Sequence, residues 1–203
     1  IMAIAPIAGP LLGGQIIKFS TWHSIFWLLA SIGGLMFLTL FFLPETHPVE
    51  KRTKASVMNT FANYRQLLGN WQFMRYTLCV TFFYVAAFTF IVGSPFVYIS
   101  FYGVDVQHYG WLFALNIVGV MGLSFINRKL VKRFSLDHLL KCTTAIATIA
   151  LITLCILFYK QVGGIYSIIA MVFIFFSMSG MIAANSTAAA LDGVPEMAGS
   201  ASA

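Results

Sequence analysis

The sequence predicts an all-α protein, a polytopic bundle of helices crossing a lipid bilayer, and three observations carry that prediction. Of 203 residues, 60% are hydrophobic and 9% charged, whereas soluble domains carry about 25% charged residues. The few charges are absent from six stretches, residues 1–17, 19–44, 76–104, 106–127, 142–159 and 161–191. At about 1.5 Å per residue, each is long enough, or nearly so, to cross about 30 Å of hydrocarbon as a helix. Third, the basic residues gather in two connections. Lys51, Arg52, Lys54, Arg65 and Arg75 lie in residues 44–75, and Arg128, Lys129, Lys132, Arg133 and Lys141 lie between the fourth and fifth stretches. Membrane β-strands would alternate over segments of about ten residues, and these runs are continuous. Six spanning helices are expected.

The first helix, ending near residue 17, contains AGPLLGG (residues 8–14). Ala5, Gly9 and Gly13 fall four apart, so one stripe of this helix lacks bulky side chains and admits a neighbouring backbone. Pro6 and Pro10 lack amide donors and kink or stiffen it. Small-residue stripes are also ordinary packing devices between membrane helices, and that reading stands beside a sliding seam. The segment has neither a basic leader nor a cleavage-site pattern, so it does not read as a signal peptide. Its abrupt start, and LDGVPEMAGSASA at the other end, read as a piece of a larger protein.

The second helix, about 22–43, ends at LPETHPVEKRTK, where two prolines and mixed charge mark the interface. In the following SVMNTFANYRQLLGNW, Val57, Phe61, Tyr64 and Leu68 recur at helical spacing, the pattern of an amphipathic helix on the inner membrane surface. This charged connection divides the chain. Residues 1–43 are expected to end one bundle, 44–75 to form a cytoplasmic linker, and 76–203 to begin a second bundle.

The third helix, about 76–99, carries Tyr84, Phe88, Phe90, Ser94, Pro95 and Tyr98. Aromatic and hydroxyl groups of this kind suit bulky, partly apolar or cationic ligands, and equally suit core or lipid-facing packing. In the fourth, about 109–126, Asn116 lies midway, where an amide facing lipid is costly; it lines a cavity or bonds to another helix. The fifth spans about 139–159. In the sixth, about 165–191, Gly180, Ala184 and Ala188 fall four apart, and Ser177, Ser179, Asn185, Ser186 and Thr187 add polar groups. Asn185 is the second cavity candidate, with interhelical bonding again the alternative.

Six crossings put both basic connections on one side and Lys18 and Lys160 on the other, as the positive-inside rule requires. The net charge of +6 is therefore an orientation signal and not a nucleic-acid footprint. Cys79, Cys142 and Cys155 stand singly, and His23, His47, His108 and His138 lie at connections or helix ends, so no metal or other cofactor is expected. The same scatter speaks against an integral membrane enzyme, which needs a converging nucleophile, base or metal set. Glu45, Glu50, Asp105, Asp137, Asp192 and Glu196 all lie at connections or helix margins. Proton coupling needs an ionisable group within the membrane, and these segments hold no acid.

GPLLGG resembles the end of the antiporter motif on the fifth helix of drug/proton antiporters of the major facilitator superfamily, with Ala5 where the longer motif has glycine. TWHSIFWLL, GSPFVYISFYGVDVQHYGWLFALN, NRKLVKRFS and AANSTAAALDGVPEMAGSASA resemble, in the same order, the bicyclomycin-resistance (Bcr/CflA) branch. The resemblance covers nearly the whole chain. It implies that the six helices are the fifth to tenth of twelve in a major-facilitator-type bundle. It further implies a monomeric multidrug exporter of the bacterial cytoplasmic (inner) membrane, coupled to protons, whose titrating acid lies on other helices. On this reading Tyr84, Phe88, Asn116 and Asn185 face the drug, and Gly9, Pro10, Gly13 and Gly14 form the antiporter motif. Arg128, Lys132 and Arg133, with Asp137 close by, resemble a degenerate loop motif lacking its usual glycines and aspartate; orientation and lipid headgroup contact explain them as well. An exporter of a small metabolite such as a sugar or amino acid is the alternative, though so polar a cargo calls for more charged cavity residues than these.

Overall fold

The computed structural model describes residues 4–43 and 57–194, and all regular structure among them is helical. The elements are α1 (Ile4–Phe19), α2 (His23–Leu40), α3 (Val57–Gly69), α4 (Trp71–Pro95) continuing as a short π-helix (Phe96–Phe101), α5 (Val106–Leu130), α6 (Leu136–Tyr159), α7 (Gly164–Ser177) and α8 (Ser179–Asp192). The opening of the linker, with Lys51, Arg52 and Lys54, lies outside the described residues, as do the side chains of Ala5, Pro6, Pro10 and Val57.

Among the described residues, five helical stretches are long and apolar enough to span a membrane: His23–Leu40, Trp71–Phe101, Val106–Leu130, Leu136–Tyr159 and Gly164–Asp192. The sixth expected span, α1, is described over 16 residues, about 24 Å of helix, and falls short of the other five. At the end rich in arginine and lysine the helices overrun their expected limits. There α4 starts at Trp71, α5 runs on to Leu130 and α6 begins at Leu136. Charge ends the hydrocarbon-buried stretch, not the helix: long basic side chains reach water while the backbone continues. Three of these helices are capped where they begin. Asn70 accepts from the Phe73 amide at 3.1 Å, Asp105 from Gln107 at 2.8 Å and Ser135 from His138 at 3.4 Å, engaging amides that a helix start leaves unpaired.

Two helices are interrupted, each for a local reason. Pro95 has no amide for the Ile91 carbonyl, which accepts instead from the Ser94 hydroxyl at 2.9 Å. The chain then widens into π geometry, with the Tyr102 amide bonding five residues back to Val97 at 3.1 Å. The expected sixth span is two helices meeting at Met178, whose amide bonds three residues back to Phe175 at 3.2 Å. The neighbouring Ser177 hydroxyl donates to the Phe173 carbonyl at 2.6 Å, a back-bond that competes with the helix ladder and bends it.

One core joins α4, α6, α7 and α8: Tyr76, Phe83 and Ala87 pack with Leu140, Ala147, Phe175 and Ile182, and the Phe83 and Phe175 rings stack at 4.7 Å. On its other side α5 packs against α7 and α8, and α1 packs against α5. No residue of α2 is buried. The amphipathic segment is helical, and it docks on the bundle through Leu67 while Phe61, Tyr64 and Leu68 of the expected apolar stripe stay exposed.

Close helix approach occurs between α5 and the α7–α8 pair. A methyl group built on Gly119 would lie 2.0 Å from Ser177 Oγ, and one on Gly180 would lie 2.2 Å from Ser124 Oγ. Each glycine is thus the notch for a serine on the facing helix, which lets the backbones meet where lipid supplies no hydrophobic drive to association. Gly180→Ala in the full-length protein is expected to lower the thermal unfolding midpoint, a loss of about 1–3 kcal/mol by overpacking. Adding Ser124→Gly should recover most of it. An unchanged midpoint for Gly180→Ala would show the seam to be loose.

Candidate functional site

Tyr84 and Phe88 stand on an exposed face of α4, where with Thr81, Val85, Thr89, Val92 and Gly93 they line an open groove of about 1050 Å³. They are 44% and 60% exposed, with ring centroids 6.2 Å apart. The Thr81 and Thr89 hydroxyls donate to the carbonyls of Thr77 and Val85, both at 2.8 Å. Their protons are engaged, so the groove offers threonine oxygens as acceptors, the Tyr84 hydroxyl and two aromatic faces.

The rest of the expected aromatic face turns inward. At 3.6 residues per turn, Phe90 lies about 120° around the helix from Tyr84. Ser94 is fully buried and its hydroxyl pairs with that of Tyr109 at 2.6 Å. Tyr98 is buried with Ile168 and Val172, edge-on to Phe90. These three residues hold the C-terminal end of α4 and its π-helical continuation to α5 and α7, while Tyr84 and Phe88 remain available.

The two asparagines expected in the site have different surroundings. Asn116, on α5, is 9% exposed, and its amide has no hydrogen-bond partner among the described residues. Asn185, on α8, is 2% exposed and forms a reciprocal pair with Asn127 of α5: each side-chain NH2 donates to the other's carbonyl, at 3.0 and 3.1 Å. The capacity of Asn185 is engaged between helices, whereas that of Asn116 is open. Asn127 is not among the expected site residues, because it closes an uncharged run beside Arg128 and reads as margin. Its signal is spacing: eleven residues from Asn116 is close to three full turns, so both amides share one face of α5. The next residue along α8, Ser186, has a buried hydroxyl oxygen without a hydrogen-bond partner among the described residues; the Cys79 thiol of α4 is its polar neighbour.

At the basic end, Arg128, Lys132 and Arg133 are exposed, and the Arg128 guanidinium sits 5.2 Å over the Phe125 ring. Asp137 does not pair with them. Its carboxylate lies 3.6 Å from Arg75 Nη2 and accepts from the Tyr76 hydroxyl, which itself accepts from Arg75 at 2.5 Å. This cluster ties the start of α6 to the start of α4, and its partial exposure keeps its energetic contribution modest. On α1, a methyl built on Gly9, Gly13 or Gly14 would meet nothing within 4 Å. Tyr84 with Phe88, the asparagines, and the basic turn therefore occupy three separate places among the described residues.

The Major Facilitator Superfamily profile matches residues 1–203. The chain is 31% identical over 202 residues to a bicyclomycin resistance protein homolog of Haemophilus influenzae, covering 99% of this chain and 50% of that protein. It is 34% identical over 209 residues to an uncharacterized MFS-type transporter of Bacillus subtilis, covering 100% and 51%. Similarity to the multidrug transporter MdfA of Yersinia pestis is 33% over 131 residues, covering 62% and 32%. The chain thus spans about half the length of the first two relatives.

If the α4 groove opens on water and not on lipid, single cysteines replacing Tyr84 or Phe88 in the full-length protein, free of its native cysteines, should react with a charged maleimide, and one replacing Asn185 should not. Failure of both groove positions to react would place that face against lipid or another helix.

Proposed function

The chain belongs to the major facilitator superfamily, and from that premise we propose that it forms part of a multidrug exporter of the bacterial cytoplasmic membrane. Residues 1–43 end one bundle and 76–203 begin the other, and the two rock so that a midplane cavity opens alternately to each side. The basic connections face the cytoplasm, as the distribution of lysine and arginine favours. Names of relatives that denote bicyclomycin resistance and multidrug transport support export of drugs. Protons drive it, and the acid that titrates lies in the part of the protein outside this chain.

The observation that carries this reading is the Asn116 amide, nine-tenths buried in a membrane-spanning helix with its hydrogen-bonding capacity open. An amide left unpaired among apolar groups is costly, and a passing ligand or cavity water supplies what the protein withholds. The aromatic groove on α4 complements it. Large faces and one phenol bind bulky molecules without demanding a single hydrogen-bond pattern, which suits a site for several drugs.

The test expresses the full-length protein in a drug-sensitive bacterium. Export is expected, to be abolished by a proton ionophore. Asn116→Leu, at equal expression, should lower it about tenfold, the equivalent of about 1.4 kcal/mol. No export by the wild type would overturn the function, and unchanged export by Asn116→Leu would remove that residue from the site.

A further inference from the structure

We propose that the basic turn between α5 and α6 is a binding site for an anionic phospholipid, which it selects over a zwitterionic one. Arg128, Lys129, Lys132 and Arg133 hold the phosphate, and Phe125, Val131 and Phe134 meet the first carbons of the acyl chains. Such a site is independent of what the protein exports.

The turn carries four cations in residues 128–133, and all four side chains are exposed. Its backbone is closed: the amides of Arg133 and Phe134 both bond to the Leu130 carbonyl at 2.9 Å. The cations thus stand on a formed turn, and little loop entropy is lost when an anion arrives. Like charges this close repel one another unless an anion lies among them. Two acids described at this end could supply it. Asp137, four residues beyond Arg133, is instead held by Arg75 and the Tyr76 hydroxyl, and Asp192 makes no ion pair with the turn. Among the described residues none of the four cations has a hydrogen bond or an ion pair; Arg128 meets the face of Phe125, at 5.2 Å. Folding withdraws the acid nearest in sequence, and the turn presents its charge to an external anion.

That anion is a lipid because of what surrounds the charges. Phe125, Val131 and Phe134, interleaved with the cations in sequence, are 61%, 39% and 48% exposed. The spans Val106–Leu130 and Leu136–Tyr159 end at the turn, so residues 131–135 cannot rise far from the bilayer. Long basic side chains there reach the phosphate level, while aromatic rings sit at the boundary with the acyl chains. A soluble anion would use the charges and leave the apolar groups in water. The choice among lipids follows from Asp137. A zwitterionic headgroup brings an ammonium beside its phosphate, and that ammonium needs a carboxylate. Here it would meet four cations and an Asp137 engaged by Arg75. A glycerol headgroup carries no such charge, and its hydroxyls accept from lysine and arginine.

The experiment purifies the full-length protein in neutral detergent and follows its thermal unfolding midpoint as phosphatidylglycerol, phosphatidylethanolamine or inorganic phosphate is added. Phosphatidylglycerol is expected to raise the midpoint, and the other two to leave it at the lipid-free value. High salt should reduce the rise, because the contact is made by exposed charges. Lys132→Gln with Arg133→Gln should unfold at the wild-type temperature without lipid and need about thirtyfold more phosphatidylglycerol for the same rise. Lys160→Gln, which removes a cation at the opposite end of α6, should respond as the wild type does. A second measurement needs no variant: native mass spectrometry of the wild type in an equimolar mixture of the two lipids should show phosphatidylglycerol retained in excess. Equal stabilisation or equal retention by phosphatidylethanolamine would overturn the selectivity. An equal rise with inorganic phosphate would assign the turn to a soluble anion. A doubly substituted protein responding like the wild type, or a Lys160→Gln protein as impaired as the double variant, would place the lipid elsewhere. None of these readings involves transport, so a wild type that exports nothing would overturn the functional reading and leave this site to be decided by the lipids alone.

Discussion

Hydrocarbon offers no partner to a hydrogen-bonding group, and the arrangement of this bundle follows from that constraint. Helices satisfy the backbone, and the polar side chains on them must then find partners inside the protein. Most do so locally: threonine hydroxyls at positions 77, 81, 89, 143 and 144 donate to carbonyls three or four residues back. Besides the charged cluster at Asp137, two pairs among the described residues reach across helices instead, Ser94 with Tyr109 and Asn127 with Asn185. Those reaching pairs fasten α4 to α5 near one end and α5 to α8 near the other. Asn116 and Ser186 stand apart because each is buried without such a partner among the described residues.

The interruptions in the helices obey the same rule. Pro95 leaves a carbonyl free, and the serine beside it takes that carbonyl up before the chain widens into π geometry. Ser177 bonds back to Phe173, and the helix tightens at Met178. In water the Ile91 carbonyl would be solvated and the irregularity at Pro95 would need no compensation. Here a hydroxyl one residue away takes up the carbonyl that Pro95 frees, and each break lies where another helix packs tightly: Tyr109 against Ser94, and Gly119 against Ser177. Breaks in membrane helices are sites at which packing and backbone geometry are settled together.

How much of this is legible in the sequence depends on the range of the interaction. Charge-free runs locate the helices, because exclusion of charge from hydrocarbon acts residue by residue. They misplace the helix ends, because the backbone at Trp71 or Leu130 continues after the lipid has ended. Asn116 can be singled out as an amide amid apolar neighbours, but the partner of Asn185 cannot, since Asn127 lies far away in sequence and is masked by the adjoining Arg128. Asp137 shows a related difficulty: along the chain its nearest cations are Lys132, Arg133 and Lys141, whereas folding brings Arg75 to it. The face shared by Tyr84 and Phe88 is legible, and its extension to Phe90, Ser94 and Tyr98 is not, because those positions are out of phase with the helical turn.

Two asparagines, far apart in sequence, hold two helices of the bundle together. A double-mutant cycle on the full-length protein in bicelles, using Asn127→Ala, Asn185→Ala and the pair, measures that directly as unfolding free energy. The reciprocal bond predicts a coupling of about 1 kcal/mol, near the upper range for polar contacts between membrane helices. Losses that simply add would contradict it.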